Sequence, residues 1–564
     1  MSVVHILATP TTAMVKSPSR DIKNLISDVL SYKVEAADHM ETSWDGVLSY
    51  YDYSSDRFPA GFLRLVVKTL KRHHYKVITK RKPAPEPTGP ENPKVDDFEE
   101  DPRYDYQRES MEMFVKVKAG IIQAATGAGK SRIFKLCERR INLPTLFITT
   151  RKSLMYQMAE NYQKTIGGSV GILGDGKWEP NYKGVNFAIV DTLASRLEIP
   201  VVAHEAEKIL EKNHNEIEKE VARILKEKKL PTSFKAFKKV PEKLKQKVQK
   251  VRDEVEAKLE IPHEKIMADV NKKVARQVKR RKETLEFLKV IGFICLEEAH
   301  EVGSDGFYTI AQSCKNAHYR LALTATPFMR DSESANMRLM AVTGPIIYRV
   351  TEKLLIDRGI LAKPYFAYAS PPPPKKLYRS TAWLPAYRIG IIENKERNKV
   401  ILKDILIAKH YGLTSMVLIS QKAHGMLLEK AMKQCGIKAC FIFGENKQKE
   451  RDSALNKLRN GEIDCLIGST ILDVGIDVPS VGYVCLAGGG KAEVSARQRI
   501  GRGLREKKNG LPNVCFIRDF EDTGNNHLRK HAKERRRIVE ETPGFSEGIV
   551  QRFEFQKLGF KKVA

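Results

Sequence analysis

The sequence predicts an α/β protein with two lobes, each built on a parallel β-sheet, together with a small N-terminal α+β domain and an inserted helical arm. Three observations predict it. From 103 to about 195, short apolar runs such as "AGIIQA", "PTLFITT" and "VNFAIVD" alternate with helical stretches like "SRIFKLCERR", the rhythm of βαβ units around a parallel sheet. The rhythm resumes at 291–345 and returns from about 395 to 520 with "SMVLIS", "KACFIF", "DCLIGS", "VGYVCLAG" and "NVCFIRDF". Between the two halves of the first lobe, residues 196–290 change to a helical period broken at Pro231, Pro241 and Pro262.

Taken in chain order, residues 1–80 are a modest α/β stretch, expected as a small domain of DNA-binding type. Residues 81–102 carry Pro83, Pro85, Pro87, Pro90 and Pro93, and predict a semi-rigid extended linker. Lobe 1 is expected over 103–350, interrupted by the arm at 196–290. A connection at 351–394 leads to lobe 2 at 395–522. The tail at 523–564 includes "HLRKHAKERRRIVEE", which reads as a helix with a cationic face. The arm holds 26 Lys or Arg against 17 Asp or Glu, and its proline breaks suggest a projecting helical hairpin. Its cationic cluster "NKKVARQVKRRK" at 271–282 fits a grip on DNA as well as it fits a solvated coiled coil, and a protein partner is the other target.

A chain of 564 residues is too long for one core. Its 98 Lys or Arg outnumber 69 Asp or Glu, a net charge of +29, which favours a polyanionic partner over a small neutral substrate. Nucleic acid leads, with an anionic membrane surface second. No run approaches the roughly 18 apolar residues of a membrane span, and "MSVVHILATPTTAMVK" lacks the pattern of a signal peptide. A cytoplasmic location is expected, in the host if the chain is viral. The eight cysteines are scattered without a CxxC, so they predict ordinary thiols rather than a zinc site.

One stretch carries explicit chemistry. After the strand "GIIQA" comes "ATGAGKS", 125–131, and then a helix, the context a phosphate-binding loop requires. Thr126, Gly127, Ala128 and Gly129 form the loop, and its glycines let backbone N–H groups curl around phosphates. Lys130 reaches toward the β and γ oxygens, and the Ser131 hydroxyl is placed to ligate Mg²⁺. Ala124 stands where the general pattern has its first glycine. The cofactors expected are therefore ATP and Mg²⁺. A second stretch, "FICLEEAH" at 293–300, is a buried strand ending on two acids. Such a site needs one carboxylate for the metal and a second group to orient or deprotonate the attacking water, so Glu297 is the metal-side candidate and Glu298 the catalytic one. In the second lobe, "QRIGRGLR" at 498–505 places Arg502 and Arg505 three apart, as two arginines reaching a γ-phosphate require.

"LEEAH" resembles the DEAH box of superfamily 2 helicases, with Glu297 in place of the Asp, a change that keeps the charge and shifts its reach by one methylene. The resemblance implies two RecA-like lobes and further roles. Gln107 in "RYDYQ" resembles the adenine-reading glutamine, with Tyr104 beside it. Thr150 and Arg151 in "TTRKSLMYQ", Thr192 in "VDTLAS" and Thr470 in "STILDVGIDVP" resemble residues on the nucleic-acid backbone. Gly475 and Asp477 resemble residues near the nucleotide. "LTATP" at 323–327 resembles the motif whose Thr324 and Thr326 couple hydrolysis to strand contacts. The segment "SWDGVLSYYDYSSDRFPAGFLRLVVKTLKRHHYK", 43–76, resembles the small N-terminal domain of UvsW-type phage recombination helicases, with Trp44 expected as a core anchor.

That family likeness implies an ATP-dependent helicase that remodels branched or forked DNA, with single- and double-stranded segments, in recombination, repair or replication. Two alternatives remain: a translocase that moves on duplex without unwinding, and an ATP-gated nucleic-acid-binding scaffold whose arm recruits partners.

Overall fold

The computed structural model describes residues 3–34, 46–96, 101–233, 241–298, 305–328, 332–468, 481–490, 500–501, 504–507 and 510–563. The described chain divides into two compact units, residues 191–290 and the remainder.

The larger unit contains three sheets that matter for function. In the first lobe, eight strands lie in the order Lys177–Glu179, Gly171–Gly174, Val185–Ile189, Thr145–Thr149, Phe293–Glu297, Tyr319–Thr324, Ala119–Ala124, Ile346–Val350. All neighbours are parallel except the first pair. Thr145–Thr149, Phe293–Glu297 and Tyr319–Thr324 are buried along their whole length, as strands covered by helices on both faces must be. Their core is aromatic: Phe134 of the helix Lys130–Ile141 meets Phe147 edge to face at 4.7 Å and packs near Phe187 and Phe293. In the second lobe, six parallel strands run Lys363–Ala369, Val514–Phe520, Tyr483–Leu486, Ser415–Leu418, Cys465–Gly468, Ala439–Ile442. The protein is thus α/β with two RecA-like lobes. The edge strand Lys363–Ala369 lies within the stretch the sequence places between the lobes.

The N-terminal residues form a four-stranded sheet in the order Arg57–Pro59, Thr12–Val15, Val3–Ala8, Lys76–Arg81, packed against the helices Arg20–Val29 and Leu63–Arg72. Trp44 lies outside the described residues. The basic tail contains the helix Asn526–Glu541, and it is docked rather than free. Its Leu528, Ala532, Ile538 and Val539 are buried, and Arg535, itself buried, pairs with Asp519 at 2.9 Å.

The unit 191–290 holds three long helices, Val202–Glu227, Glu242–Leu259 and His263–Val290. The expected hairpin is therefore one helix short. Pro241 caps the second helix and Pro262 directly precedes the third, so the prolines divide the arm where the sequence puts its breaks. Ile217, Val221, Leu225, Val251 and Val255 form its small core, while Lys272, Arg276, Lys279, Arg280 and Lys282 are exposed.

The proline-rich stretch is extended but does not act as a free spacer. The Tyr319 hydroxyl donates to the Pro85 carbonyl at 2.9 Å, and Arg140 donates to the carbonyls of Gly89 at 2.8 Å and Pro87 at 3.3 Å. Val95 is buried in the lobe 1 core, and Asp96 pairs with Arg132 at 2.9 Å. This strap ties the N-terminal domain to the phosphate-loop helix. At Gly89 a Cβ would lie 1.8 Å from the Arg139 carbonyl oxygen, so Gly89→Ala is expected to lift the strap. Cleavage within 82–96 by a broad-specificity protease should accelerate by roughly tenfold, the population of an open state shifted by about 1.4 kcal/mol. An unchanged cleavage rate would show that the strap does not depend on this contact.

Candidate nucleotide site and nucleic-acid surfaces

The phosphate loop sits at the C-terminal end of Ala119–Ala124 and leads straight into the helix Lys130–Ile141. Gly127 and Gly129 adopt positive φ, +92° and +78°, where a side chain would be strained. A Cβ on Gly129 would also lie 2.3 Å from Gln107 Nε2. Two neighbouring side chains fix the loop from below: the Tyr106 hydroxyl and Gln107 Nε2 both donate to the Ala128 carbonyl, at 3.0 and 2.9 Å. The helix then offers its N-terminal backbone N–H groups and partial positive charge to an anion.

Gln107 is buried, and its Oε1 accepts from Arg132 at 2.8 Å. Both ends of its amide are thus engaged, so reading an adenine edge requires Gln107 to exchange one of these partners. Beside it lies a cavity of about 530 Å³, lined by Asp96, Tyr104, Gln107, Gly129, Arg132 and Leu136 among others. Arg132 and Asp96 are site residues that motif reading passed over. Arg132 directly follows the loop serine, whereas Asp96 is hidden in the strap.

The two acids stand at the end of the central strand. Glu297 is its last residue and buried, and its Oε2 has no hydrogen-bond partner among the described residues. Burial pushes its carboxyl from 4.5 to about 7, with Lys130 opposing the shift and Glu298 adding to it. Glu298 turns away from the strand at φ +49°, a left-handed conformation uncommon for a residue with a Cβ. An orphaned carboxylate oxygen next to the Lys130–Ser131 end of the loop suits a divalent cation that takes few protein ligands and completes its shell with water and phosphate. No group of three or more His, Cys, Asp or Glu that could hold a metal occurs among the described residues. Thr326 Oγ1 is likewise buried without a hydrogen-bond partner among the described residues, and its backbone N–H donates to Thr324 Oγ1 at 3.2 Å.

Lobe 2 meets this loop directly. A Cβ on Gly501 would lie 2.7 Å from Thr126 Cβ, and one on Gly127 would lie 2.8 Å from Leu361 Cδ2. Leu361 pairs with Arg505 in an isolated β-bridge, the Ala362 N–H donates to the Leu504 carbonyl at 2.6 Å, and Arg103 pairs with Glu506 at 3.2 Å. The segment carrying Arg505 therefore abuts the phosphate loop. Partial desolvation and Arg459 hold the Arg505 guanidinium below its ordinary value. Arg502, Thr470, Gly475 and Asp477 lie outside the described residues, as do Gln498 and His300.

Thr150 and Arg151 follow the strand Thr145–Thr149, and Arg151 is the exposed N-cap residue of the helix Lys152–Thr165. Thr192 belongs to the other unit, in the helix Val190–Leu197, and its carbonyl accepts from the Ser195 hydroxyl. His424 is buried with Nε2 3.0 Å from Asn398 Oδ1, and burial together with Arg397 pushes its pKa down to about 3, so it is a neutral structural group. On the N-terminal domain, a groove of about 600 Å³ is lined by Arg64, Lys68, Lys71, Arg72 and Arg81 with no acid among its lining residues. Burial lowers both Arg64 and Arg81, and the charge of Arg81 adds to the depression at Arg64.

Residues 101–329 match the family model described as type III restriction enzyme, res subunit, and residues 398–507 match that of the helicase conserved C-terminal domain. Together the matches span more than half of the chain and fall on both lobes. The chain belongs to the superfamily 2 helicases. The chain is 29% identical over 235 residues to a candidate ATP-dependent helicase of Saccharomyces cerevisiae, IRC3, covering 41% of this chain and 34% of that one. It is 26% identical over 230 residues to a candidate helicase of Sulfolobus islandicus filamentous virus, covering 38% and 40%. The chain thus spans only about a third to two fifths of the length of these relatives. It is also similar to the crystal structure of T4 UvsW, with 16% identity and a TM-score of 0.41 over 98% of this chain and 99% of that one. No helix among the described residues is long and apolar enough to cross a membrane.

The raised Glu297 value has a consequence for stability. Between pH 7 and 4.5 the folded protein binds a proton at Glu297 that the unfolded chain does not, so its burial penalty is complete above pH 7 and is relieved as pH falls toward 4.5. Without nucleotide or metal, Glu297→Gln should stabilise the protein at pH 8 by about 2–3 kcal/mol, and the gain should close by pH 4.5. Thermal melts of both proteins across that range measure it. A gap that does not change with pH contradicts the assignment.

Proposed function

We propose that the protein hydrolyses ATP with Mg²⁺ and uses the cycle to move along DNA, remodelling forks and junctions in recombination, repair or replication. The observation that carries the motor reading is the abutment of lobe 2 on the phosphate loop at Thr126 and Gly127. In this reading the loop's N–H groups and Lys130 hold the phosphates, and the Tyr104–Arg132 cavity takes the base. Glu298 orients and deprotonates the attacking water, since its left-handed turn carries it off the strand end. A divalent cation held by Ser131 and Glu297 would neutralise phosphate charge and polarise the γ-phosphoryl group. Arg505, with Arg502, stabilises charge that develops on the γ-phosphate. Gly475 and Asp477 are assigned to the nucleotide. Thr150, Arg151, Thr192 and Thr470 are assigned to the DNA backbone. ATP-dependent closure and opening of the lobes then alternates those strand contacts to give a step.

The branched-DNA part rests on the UvsW-type segment at 43–76 and on the acid-free cationic groove of the N-terminal domain, which suits a phosphodiester backbone. The exposed cations at 271–282 suit a second grip, or a protein partner, through the arm. A cytoplasmic location fits this reading, in the host if the chain is viral. One observation favours a second reading. The family model on lobe 1 is named for a restriction enzyme subunit, so a translocase that moves on duplex without unwinding remains in play.

ATP turnover measured with single-stranded, duplex, forked and four-way DNA, and with RNA, tests the proposal. Forked and four-way DNA should stimulate most. Glu298→Gln should still bind ATP but lose turnover by about 10² or more on every substrate. Equal stimulation by plain duplex without strand displacement supports the second reading, and normal turnover in Glu298→Gln removes Glu298 from the chemistry.

A further inference from the structure

On lobe 2, a rigid loop presents apolar side chains to solvent among cations. Tyr378 and Leu384 are each 69% exposed. Burying such groups is favourable, so a chain that holds them out has an energetic reason to cover them. The loop is fixed from beneath. Asn525 is wholly buried, and its Nδ2 donates to the carbonyls of Tyr378 at 2.9 Å, Arg379 at 3.2 Å and Thr381 at 2.8 Å, while the Asn526 N–H donates to Arg379 at 3.1 Å. The short helix Trp383–Tyr387 follows. The Trp383 ring packs 4.6 Å from His531, 5.3 Å from Tyr387 and 6.5 Å from His527. The chain then passes through a single π-helical turn, Arg388–Ile392, an irregularity often found at functional sites.

We infer that this surface is a stacking site for the unpaired bases of a nucleic-acid strand. Its charge fits that occupant. Lys375, Lys376, Arg379 and Lys530 are exposed around the aromatic groups, and none of them makes an ion pair among the described residues. Cations that track phosphates, interleaved with rings that take base faces, are the two components by which proteins hold single strands. A duplex keeps its base faces stacked and out of reach. The position also fits. The Tyr387 hydroxyl and the Ser420 hydroxyl both donate to the Gly488 carbonyl, at 2.7 and 3.1 Å. That ties the short helix to the C-terminal edge of the lobe 2 sheet, the edge of a parallel sheet at which ligands bind. The inference rests on the motor reading above and adds to it a place on lobe 2 that holds a strand by its bases.

The double variant Tyr378→Ala with Leu384→Ser changes only exposed side chains, so the fold is retained. Fluorescence anisotropy with a thymidine oligonucleotide, and with an abasic oligonucleotide of equal length, separates base contacts from phosphate contacts. The variant is expected to bind the thymidine strand about tenfold more weakly, with its affinity for the abasic strand, its salt slope and its ATP turnover without nucleic acid unchanged. Tyr378→Phe should keep the parent's affinity. Equal affinity of variant and parent for the thymidine strand overturns the inference while leaving the motor reading intact. Equal loss on the abasic strand overturns it too, since the surface then holds phosphate alone. Unchanged binding together with a shift from dimer to monomer in sedimentation overturns it in favour of a protein interface. A parent that binds no nucleic acid at all defeats both readings.

Discussion

The shape of the phosphate loop depends on one carbonyl. Ala128 is gripped from below by the Tyr106 hydroxyl and the Gln107 amide, and this grip holds the loop's N–H groups outward while Gly127 and Gly129 take up the positive φ values the turn demands. Because Gln107 is itself held by Arg132, and Arg132 by Asp96, the loop is coupled to the strap and through it to the N-terminal domain. A change of partner at Gln107 would be felt along that whole line.

The same end of the sheet gathers the charge. A parallel sheet brings the C-terminal ends of Ala119–Ala124, Phe293–Glu297 and Tyr319–Thr324 to adjacent positions, so residues far apart in the chain, Lys130 and Glu297 among them, act on one another. The cost of that arrangement is visible at Glu297, whose carboxyl resists ionisation while buried, and at Glu298, whose backbone is held in an uncommon conformation. Both are local costs to stability of the kind that cluster at functional sites.

The fold class was legible because buried parallel strands leave continuous apolar runs, as in Phe293–Glu297, and because the glycine loop stands where strand gives way to helix. Strand order was not legible, since it is set by crossovers that composition does not record. The attachment of the strap was not legible for a related reason. Proline content announces an extended chain, but what pins it are the carbonyls of Pro85, Pro87 and Gly89, and backbone acceptors leave no trace in residue identity. The arm's prolines marked helix breaks but not how many helices pack together, which depends on contacts between segments: Ile217 and Val221 with Val251 and Val255 between the first two helices, and Glu205 with Lys273 and Gln277 between the first and third. At the site, motif spacing named the loop and the acid pair. Arg132, Asp96 and Tyr106 act through contacts between segments and could be found only once the chain was folded.

The account stands on lobe 2 completing the nucleotide site, and Arg505 tests this most directly. Turnover of Arg505→Ala should be measured with saturating forked DNA, alongside the affinity of the same variant for that DNA. A fall in turnover of about 10³ with DNA affinity nearly unchanged is the predicted result. Turnover and DNA affinity falling together would mean that Arg505 grips DNA, and unaltered turnover would mean that the abutment of lobe 2 on the phosphate loop has no part in the chemistry.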